Sequence, residues 1–516
     1  MGFKRSFTAA VLVFFLSFLF CGCLPVLFGQ KITGRVLAED GETPVVGALV
    51  SVRAEDIRTR TDPDGAFQLR CPAGSSDPEI TAWAEGYYIA STHPELDQTE
   101  VTLVLRPLPA EDATSYAWID PKPESSQDAC GRCHPMILAQ WEENAHGQAV
   151  HNTRFYSFYN AEDVDGNPLN ASGYLVDFPG TAGNCAACHA PGAAVDAPFS
   201  TDMNRVRGEI TAGIHCDFCH KTGGIYLDPA NGLTYPNVPG VLAMALLRPP
   251  DGDQIFIGPY LDIHDPDTYS PQISESDFCA TCHQFSYWGT EIYNSYGEWL
   301  DSSYSQRGIT CQDCHMPPSG DEYFALQSQG GLSHPPETIP SHFQLGLKDE
   351  EFMQTSLEME VRSRVDDGRL TVRVELINTG AGHHVPTDHP GRHLILIIKA
   401  VDQSGNPLTQ LSGPVIPAWS GDEAGMPGTV YAKVLEDALT GQYPVVNYWN
   451  PTLIHNDNRI PADGGREEEF SFRMRGDTAR LEVRVLFRRL FQPIADQYGW
   501  DLSEIILNEQ TLLIQP

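Results

Sequence analysis

Apolar and polar residues alternate in two separate parts of the chain. In the first, Val101, Leu103 and Leu105 take every second position, and the runs KITGRVL, PVVGALVSVR, DGAFQL and ITAWA lie upstream with turn formers between them. A period of two puts such residues on one face of a strand, so residues 30–108 are expected to form an all-β module. In the second part Leu370, Val372, Val374 and Leu376 alternate, and GRHLILIIKA follows as a nearly continuous apolar run. Phe470, Phe472 and Met474 alternate later, as do Leu481, Val483, Val485 and Phe487. Strands at this spacing predict a second β-sandwich over residues 346–516.

Residues 109–345 lack either rhythm. They are rich in Pro, Gly, Asn and Ser, with short helical patches such as MILAQWEENAH. So little periodic apolar sequence over such a length points to a core filled by something other than protein. The expected fold is therefore multidomain: an N-terminal β-sandwich, a central, mostly helical and irregular domain, and a C-terminal β-sandwich.

The chain opens with Lys4 and Arg5, then an apolar stretch from Phe7 to Phe20 and a small residue at Gly29. This order reads as a signal peptide over residues 1–29. The apolar run is short for a membrane span. Lipid attachment at Cys23, which follows Gly22, is the alternative. A formal charge of −35 over 516 residues repels nucleic acid and anionic lipid, and suits an exported chain whose partners are basic or metal-bearing.

The 13 cysteines carry the chemistry. Cys21 and Cys23 lie in the leader, and Cys71 stands alone, expected as a small buried hydrophobe. The other ten form five C-x-x-C-H motifs: Cys130, Cys133 and His134; Cys185, Cys188 and His189; Cys216, Cys219 and His220; Cys279, Cys282 and His283; Cys311, Cys314 and His315. Two thiols one helical turn apart can add to the two vinyl groups on one edge of a haem, and the next histidine coordinates its iron. The motif is the attachment signature of c-type haem, so five haems are expected, with those five histidines as proximal ligands. Zinc ribbons do not need a histidine after every pair, and thioredoxin-like motifs sit singly in a βαβ setting.

The far side of each haem decides between electron transfer and substrate binding. Six further histidines in the region are candidate distal ligands: His146, His151, His215, His264, His334 and His342. His215 adjoins Cys216 and cannot easily reach the far side of its own haem, which leaves a neighbouring haem or simple packing. His383 and His384, in NTGAGHHVPTDHPGR, are expected to make local hydrogen bonds in a turn; the alternative is a loop that folds over the haem region. Gaps of 26 residues (190 to 215) and 27 residues (284 to 310) suggest a duplicated two-haem unit with closely stacked haems. Arg132, Arg205, Arg207 and Arg307 could form a positive pocket, but solvated salt bridges are their plainer role.

Two resemblances follow from these residues. Gly34, Val36, PVVGALVSV, TDPDGAF at Thr61–Phe67 and EGYY at Glu85–Tyr88 resemble the carboxypeptidase regulatory-like domain, a transthyretin-like β-sandwich that usually serves as spacer or docking unit. Asp62 and Asp64 there are read as turn residues rather than a calcium site. WEENAHGQA after the first motif, GIHCDFCHK, SDFCATCHQ and GITCQDCHMP resemble the exported multihaem c-type cytochromes, including the tetrahaem carriers of nitrifiers. NTGAGHHVPT and DNRIP look like the β-domain that often accompanies them. This resemblance implies bis-histidine haems in a conducting chain, in the periplasm or at the cell surface, with self-association into filaments in some relatives. All five motifs end in histidine, unlike catalytic pentahaem nitrite reductases with one lysine motif, and hydroxylamine-oxidising relatives carry eight haems.

The leading expectation is an electron carrier serving redox partner proteins with basic or haem-exposing surfaces. The alternatives are a haem enzyme acting on a small nitrogen or sulfur species at one open iron, and a filament subunit.

Overall fold

The computed structural model describes residues 29–72, 75, 77–95, 98–263 and 266–515. Residues 1–28 of the expected leader, with Cys21 and Cys23, lie outside the described residues. The chain divides into two units, one of residues up to Ala113 with Arg248–Ser270, the other of Thr114–Leu247 with Pro271–Pro516.

In the first unit two sheets share one core. Strand Lys31–Ala38 pairs antiparallel with Ala66–Arg70 and parallel with Glu100–Leu105. The second sheet runs in the order Arg58–Arg60, Leu49–Val52, Ile80–Trp83, Ala90–Thr92. The alternation seen in the sequence is the burial pattern: Val101, Leu103 and Leu105 face inward onto Ile32, Val36, Val50 and Ile80. Cys71 is buried in that core. Gly34 has no room for a side chain, since a Cβ there would sit 2.2 Å from the Val101 carbonyl oxygen. Asp62 closes its turn by accepting from the backbone N–H groups of Asp64 and Ala66, both at 2.9 Å, with Gly65 at φ +70°.

Residues 248–270 fall inside the expected 109–345 domain, yet they pack into this first unit. Arg248, 2% exposed, is held by Asp112 at 2.6 Å, and Arg106 pairs with Asp253 at 2.8 Å. Trp83 donates from Nε1 to Thr268 at 3.0 Å, and Ile255 and Ile257 are buried. The apolar residues and paired charges of this insertion find their partners there.

In the second unit the motifs lie on short helices, and two sheets form the C-terminal part. One has the order Leu357–Asp366, Arg369–Asn378, Gly465–Arg473, Thr409–Ser412; the other Thr452–Asp457, Gly428–Asp437, His393–Val401, Ala479–Arg488, Ile505–Ile514. Leu370, Val372, Val374 and Leu376 meet Leu394, Leu396, Ile398, Leu481 and Val483 in the core between the sheets. The opposite face of the larger sheet buries Ile395, Ile397, Val430 and Leu486 against Phe158, Trp449 and Tyr498. Strand His393–Val401 is thus covered on both faces, which explains its unbroken apolar run. Each such side chain is worth about 1.5–3 kcal/mol on full burial. That second interface fixes the C-terminal sheets against the region that carries the motifs.

Among the described residues, no helix is long and apolar enough to cross a membrane.

Candidate haem site

Each C-x-x-C-H stretch forms or opens a helical turn: Cys130–Arg132, Ala186–His189, Cys216–Cys219, Asp277–His283 and Cys311–His315. The closing histidine donates its backbone N–H to the first cysteine's carbonyl, at 2.9 Å for His134, 3.0 Å for His189 and 3.0 Å for His220. This closure brings both thiols and the imidazole to one turn, as attachment to a single ring edge requires. All ten motif thiols are half-buried. Thiols of different motifs also meet, Cys130 with Cys216, Cys188 with Cys282, and Cys279 with Cys311. Cys219, pushed up to about 12 by burial, also feels Cys282. The five motifs therefore form one connected series with Cys279–His283 at its branch point. The expected pairing of the fourth and fifth motifs fits these contacts. In the second and third motifs, Cys188 reaches the fourth motif and Cys216 the first.

Two pairs of imidazoles face one another. The ring centroids of His146 and His283 lie 6.4 Å apart, and those of His315 and His383 lie 6.3 Å apart. Two imidazoles sharing one iron through Nε2 have centroids about 6.2 Å apart, taking about 2.0 Å for each metal–nitrogen bond and about 1.1 Å from nitrogen to ring centre. The tautomers agree with that separation. Nδ1 of His283 donates to Asp388 Oδ2 at 2.9 Å, that of His315 to the Leu345 carbonyl at 2.6 Å, and that of His383 to the His384 carbonyl at 2.9 Å. His146 uses Nδ1 toward Gln344 Oε1, and His134 toward the Phe324 carbonyl at 2.7 Å. An oxygen on Nδ1 leaves the Nε2 lone pair directed at the facing space, the arrangement of a haem ligand. The residues present fit the group.

Burial favours the neutral form of three imidazoles in this region. Burial pushes His146, His189 and His315 down to about 4. Burial also opposes charge on His283, but the Asp388 hydrogen bond and charge outweigh it and carry His283 up to about 9. Burial would raise the Asp388 carboxyl as well; the His283 contact instead holds it well below the usual carboxylate range.

The other candidates separate clearly. His342 has a buried Nδ1 with no hydrogen-bond partner and sits at about 4, through burial first and then through neighbouring His220 and His134. His334 is buried with its ring 5.0 Å from Phe324, beside His134. His151 is exposed at the end of the turn Ala149–His151. His264 lies outside the described residues. His215 is fully buried edge-on to Trp118 at 5.2 Å, its Nδ1 accepts the Phe218 N–H at 3.3 Å, capping its own motif's helix, and its buried Nε2 has no hydrogen-bond partner. A ring whose Nδ1 accepts carries its proton on Nε2 and has no lone pair there for iron.

The loop NTGAGHHVPTDHPGR makes the expected local hydrogen bonds, from the Asn378 amide to the His383 carbonyl at 2.8 Å and from His383 Nδ1 to the His384 carbonyl at 2.9 Å, and it also extends beyond a local turn. It reaches three motifs. His383 faces His315, Asp388 holds His283, and His389 lies close enough to His189 to feel its charge. Buried Glu298, from the helix Ser295–Leu300, anchors the loop by accepting from the His384 N–H at 3.0 Å and the Thr387 hydroxyl at 2.6 Å. Arg459 completes the anchor at 2.6 Å from Glu298. The four arginines considered from sequence have outward roles: Arg207 pairs with Glu162 at 3.0 Å, Arg205 lies 3.9 Å from Asp202, Arg307 covers Tyr304, and Arg132 bonds the Pro123 carbonyl.

Residues 129–221, which hold the first three motifs, match the family described as cytochrome c554 and c-prime. The chain also shares the fold of a penta-haem cytochrome c552 from Thermochromatium tepidum, with 21% identity and a TM-score of 0.56, over 75% of this chain and 98% of that one. A cohesin–X-dockerin complex from Acetivibrio cellulolyticus matches at 13% identity and a TM-score of 0.13, over 15% of this chain and 52% of that one, too little to bear on the fold. No curated protein sequence matches the chain.

Proposed function

We propose that this chain is an electron-transfer protein carrying five c-type haems, attached at the ten motif cysteines with His134, His189, His220, His283 and His315 beneath them. Bound there, haem supplies reversible one-electron exchange at iron. The observation that carries the reading is the pair of imidazole sandwiches, His146 with His283 and His315 with His383, whose spacing and tautomers suit bis-histidine ligation. The residues do the rest. Two thiols per motif keep the group from dissociating, Nδ1 partners fix each ring, and the contacts between motifs bring successive sites close together.

Other parts of the reading rest on sequence. The leader directs export to the periplasm or cell surface. The N-terminal unit, with its two sheets on one core, suits a carboxypeptidase regulatory-like, transthyretin-type docking module. The charge of −35 favours redox partners with basic surfaces. His342 is the preferred imidazole opposite His220.

The test is a redox titration of the haem-loaded protein followed by visible and low-temperature EPR spectra, alongside intact mass. The expected result is five covalent haems, all reversibly reduced, with low-spin signals from the two sandwiches. Fewer than five haems, or reduction that cannot be reversed, overturns the proposal.

A further inference from the structure

We propose that Gln344 is a positioning residue for two haem irons at once: its side chain holds the His146 imidazole opposite His283, and its backbone aims the Leu345 carbonyl at His315. The inference rests on haem attachment at the fourth and fifth motifs, with His146 as a ligand there.

Gln344 stands where its residue type is out of place. Its φ is +48°, in the left-handed region. That region suits glycine, and among residues with side chains it favours Asn and Asp, so a glutamine gains nothing from this backbone. Strain kept at an unsuited residue points to a side chain that is needed. The amide supplies the need, because Gln344 Oε1 accepts from His146 Nδ1. An oxygen on Nδ1 keeps the proton there and leaves the Nε2 lone pair free. The amide thus selects the ligating tautomer as well as the direction of the ring.

The neighbouring residues hold the strained one in place. On one side the His342 N–H donates to Gln140 Oε1 at 2.7 Å, and the His342 carbonyl accepts from Asn144 Nδ2 at 2.6 Å. Asn144 Oδ1 in turn accepts the Gly147 N–H at 2.7 Å, which ties the turn presenting His146 to the same segment. Gln140 and Asn144 are both buried. On the other side Leu345 grips His315 twice. Its N–H donates to the His315 carbonyl at 2.9 Å, and its carbonyl accepts from His315 Nδ1 at 2.6 Å. Consecutive residues therefore reach imidazoles of two sandwiches. The two motifs are themselves adjacent, since the Cys311 N–H donates to Ser276 Oγ at 2.9 Å, just ahead of Cys279.

The two rings of the His146–His283 sandwich have unlike partners. His283 donates to a carboxylate, Asp388, and His146 to the neutral amide of Gln344. A carboxylate on Nδ1 makes the more basic imidazole, so the residue at position 344 sets how far one iron favours its oxidised form.

The test uses three variants of the haem-loaded protein, read by EPR and by spectrally resolved redox titration. Gln344→Met keeps the length and removes the oxygen; added imidazole should then replace His146 about tenfold more readily, the usual scale for losing such a partner. Gln344→Glu keeps an acceptor and adds charge. One haem should stay low-spin and fall in midpoint potential by about 59 mV, a tenfold change for one electron. Gln344→Gly also releases the backbone, so the signals of two haems should shift rather than one. Variants that change only the melting temperature, with every potential and EPR signal as in the parent, overturn the proposal. So does a Gln344→Met protein that takes up imidazole as the parent does, or a Gln344→Gly protein in which one haem alone responds. His146→Ala separates the two levels. If it leaves every haem attached and low-spin, His146 is not a ligand and the reading beneath the proposal fails. A high-spin haem in His146→Ala beside silent Gln344 variants defeats only the positioning role.

Discussion

His383 and His315 lie with their rings 15° from parallel and their centroids 6.3 Å apart, although 67 residues of chain separate them (316 to 382). One closes the C-x-x-C-H turn Cys311–His315 and the other belongs to a loop of the C-terminal β region. Replacing His383 by alanine removes the facing imidazole while leaving attachment at Cys311 and Cys314 intact. The His383→Ala protein should keep its full haem count and gain a high-spin EPR signal from one haem. An unchanged low-spin spectrum would show that another residue fills the position.

Asp388 tests the branch point. Its carboxylate on His283 Nδ1 raises the basicity of that imidazole and so favours oxidised iron. Asp388→Asn keeps a hydrogen-bond acceptor but removes the charge. One haem should rise in midpoint potential by on the order of 60 mV, a tenfold change for one electron. Spectrally resolved redox titration is the measurement.

His215 should behave as a structural residue. His215→Ala removes a helix cap and a buried ring against Trp118, so the protein should lose about 1 kcal/mol or more of stability. Its haem spectra should match those of the parent. His342→Ala should do the reverse, altering the spectrum of a haem whatever its effect on the melting temperature.

Arg459 and Glu298 are 5% exposed each, and their contact ties the loop down. Arg459→Met leaves Glu298 buried without its cation, which typically costs about 3–5 kcal/mol. Denaturant melts should show the loss, and the high-spin signal expected of His383→Ala should appear in part.

Lys433 gives the protein a pH dependence. Burial first, then Arg459, lowers it from 10.5 to about 8, while it donates to the Ile292 carbonyl at 3.0 Å. A base with a lowered folded pKa binds fewer protons folded than unfolded, so its contribution improves as pH rises above about 8 and levels off near the unfolded value. Between pH 7.5 and 9.5 the gain is about 2 kcal/mol. Lys433→Met should abolish that difference in denaturant melts at the two pH values.

The strands and the attachment turns were legible because each is written locally. Val101, Leu103 and Leu105 declare their face by alternation, and five C-x-x-C-H motifs need only five consecutive residues each. The loop from Asn378 to Arg392 was not legible. Gly, His, Pro and Asp describe a turn equally well whether it faces water or a cofactor, and no local pattern says that His383 meets His315. The same holds for residues 248–270, whose partners Asp112 and Arg106 lie across more than 130 residues of sequence. A better signal for the loop lay in the density of its side chains: His383, His384, Asp388, His389 and Arg392 fall within ten residues. In the other direction, His215 looked like a ligand by type, and only the direction of its Nδ1 hydrogen bond separates capping from coordination.

The placement of that loop in the chain bears on how the protein matures. The attachment cysteines lie between residues 130 and 314, and the loop begins at Asn378. A chain made from its N-terminus therefore presents every cysteine before the residues that cover them have been synthesised, and domains tend to fold in that order. Haem can be joined to an open scaffold, with the C-terminal sheets arriving last to close it. Assembly order and coordination are thus written into one stretch, and a chain stopped before Asn378 would hold its cysteines ready with nothing to seal them.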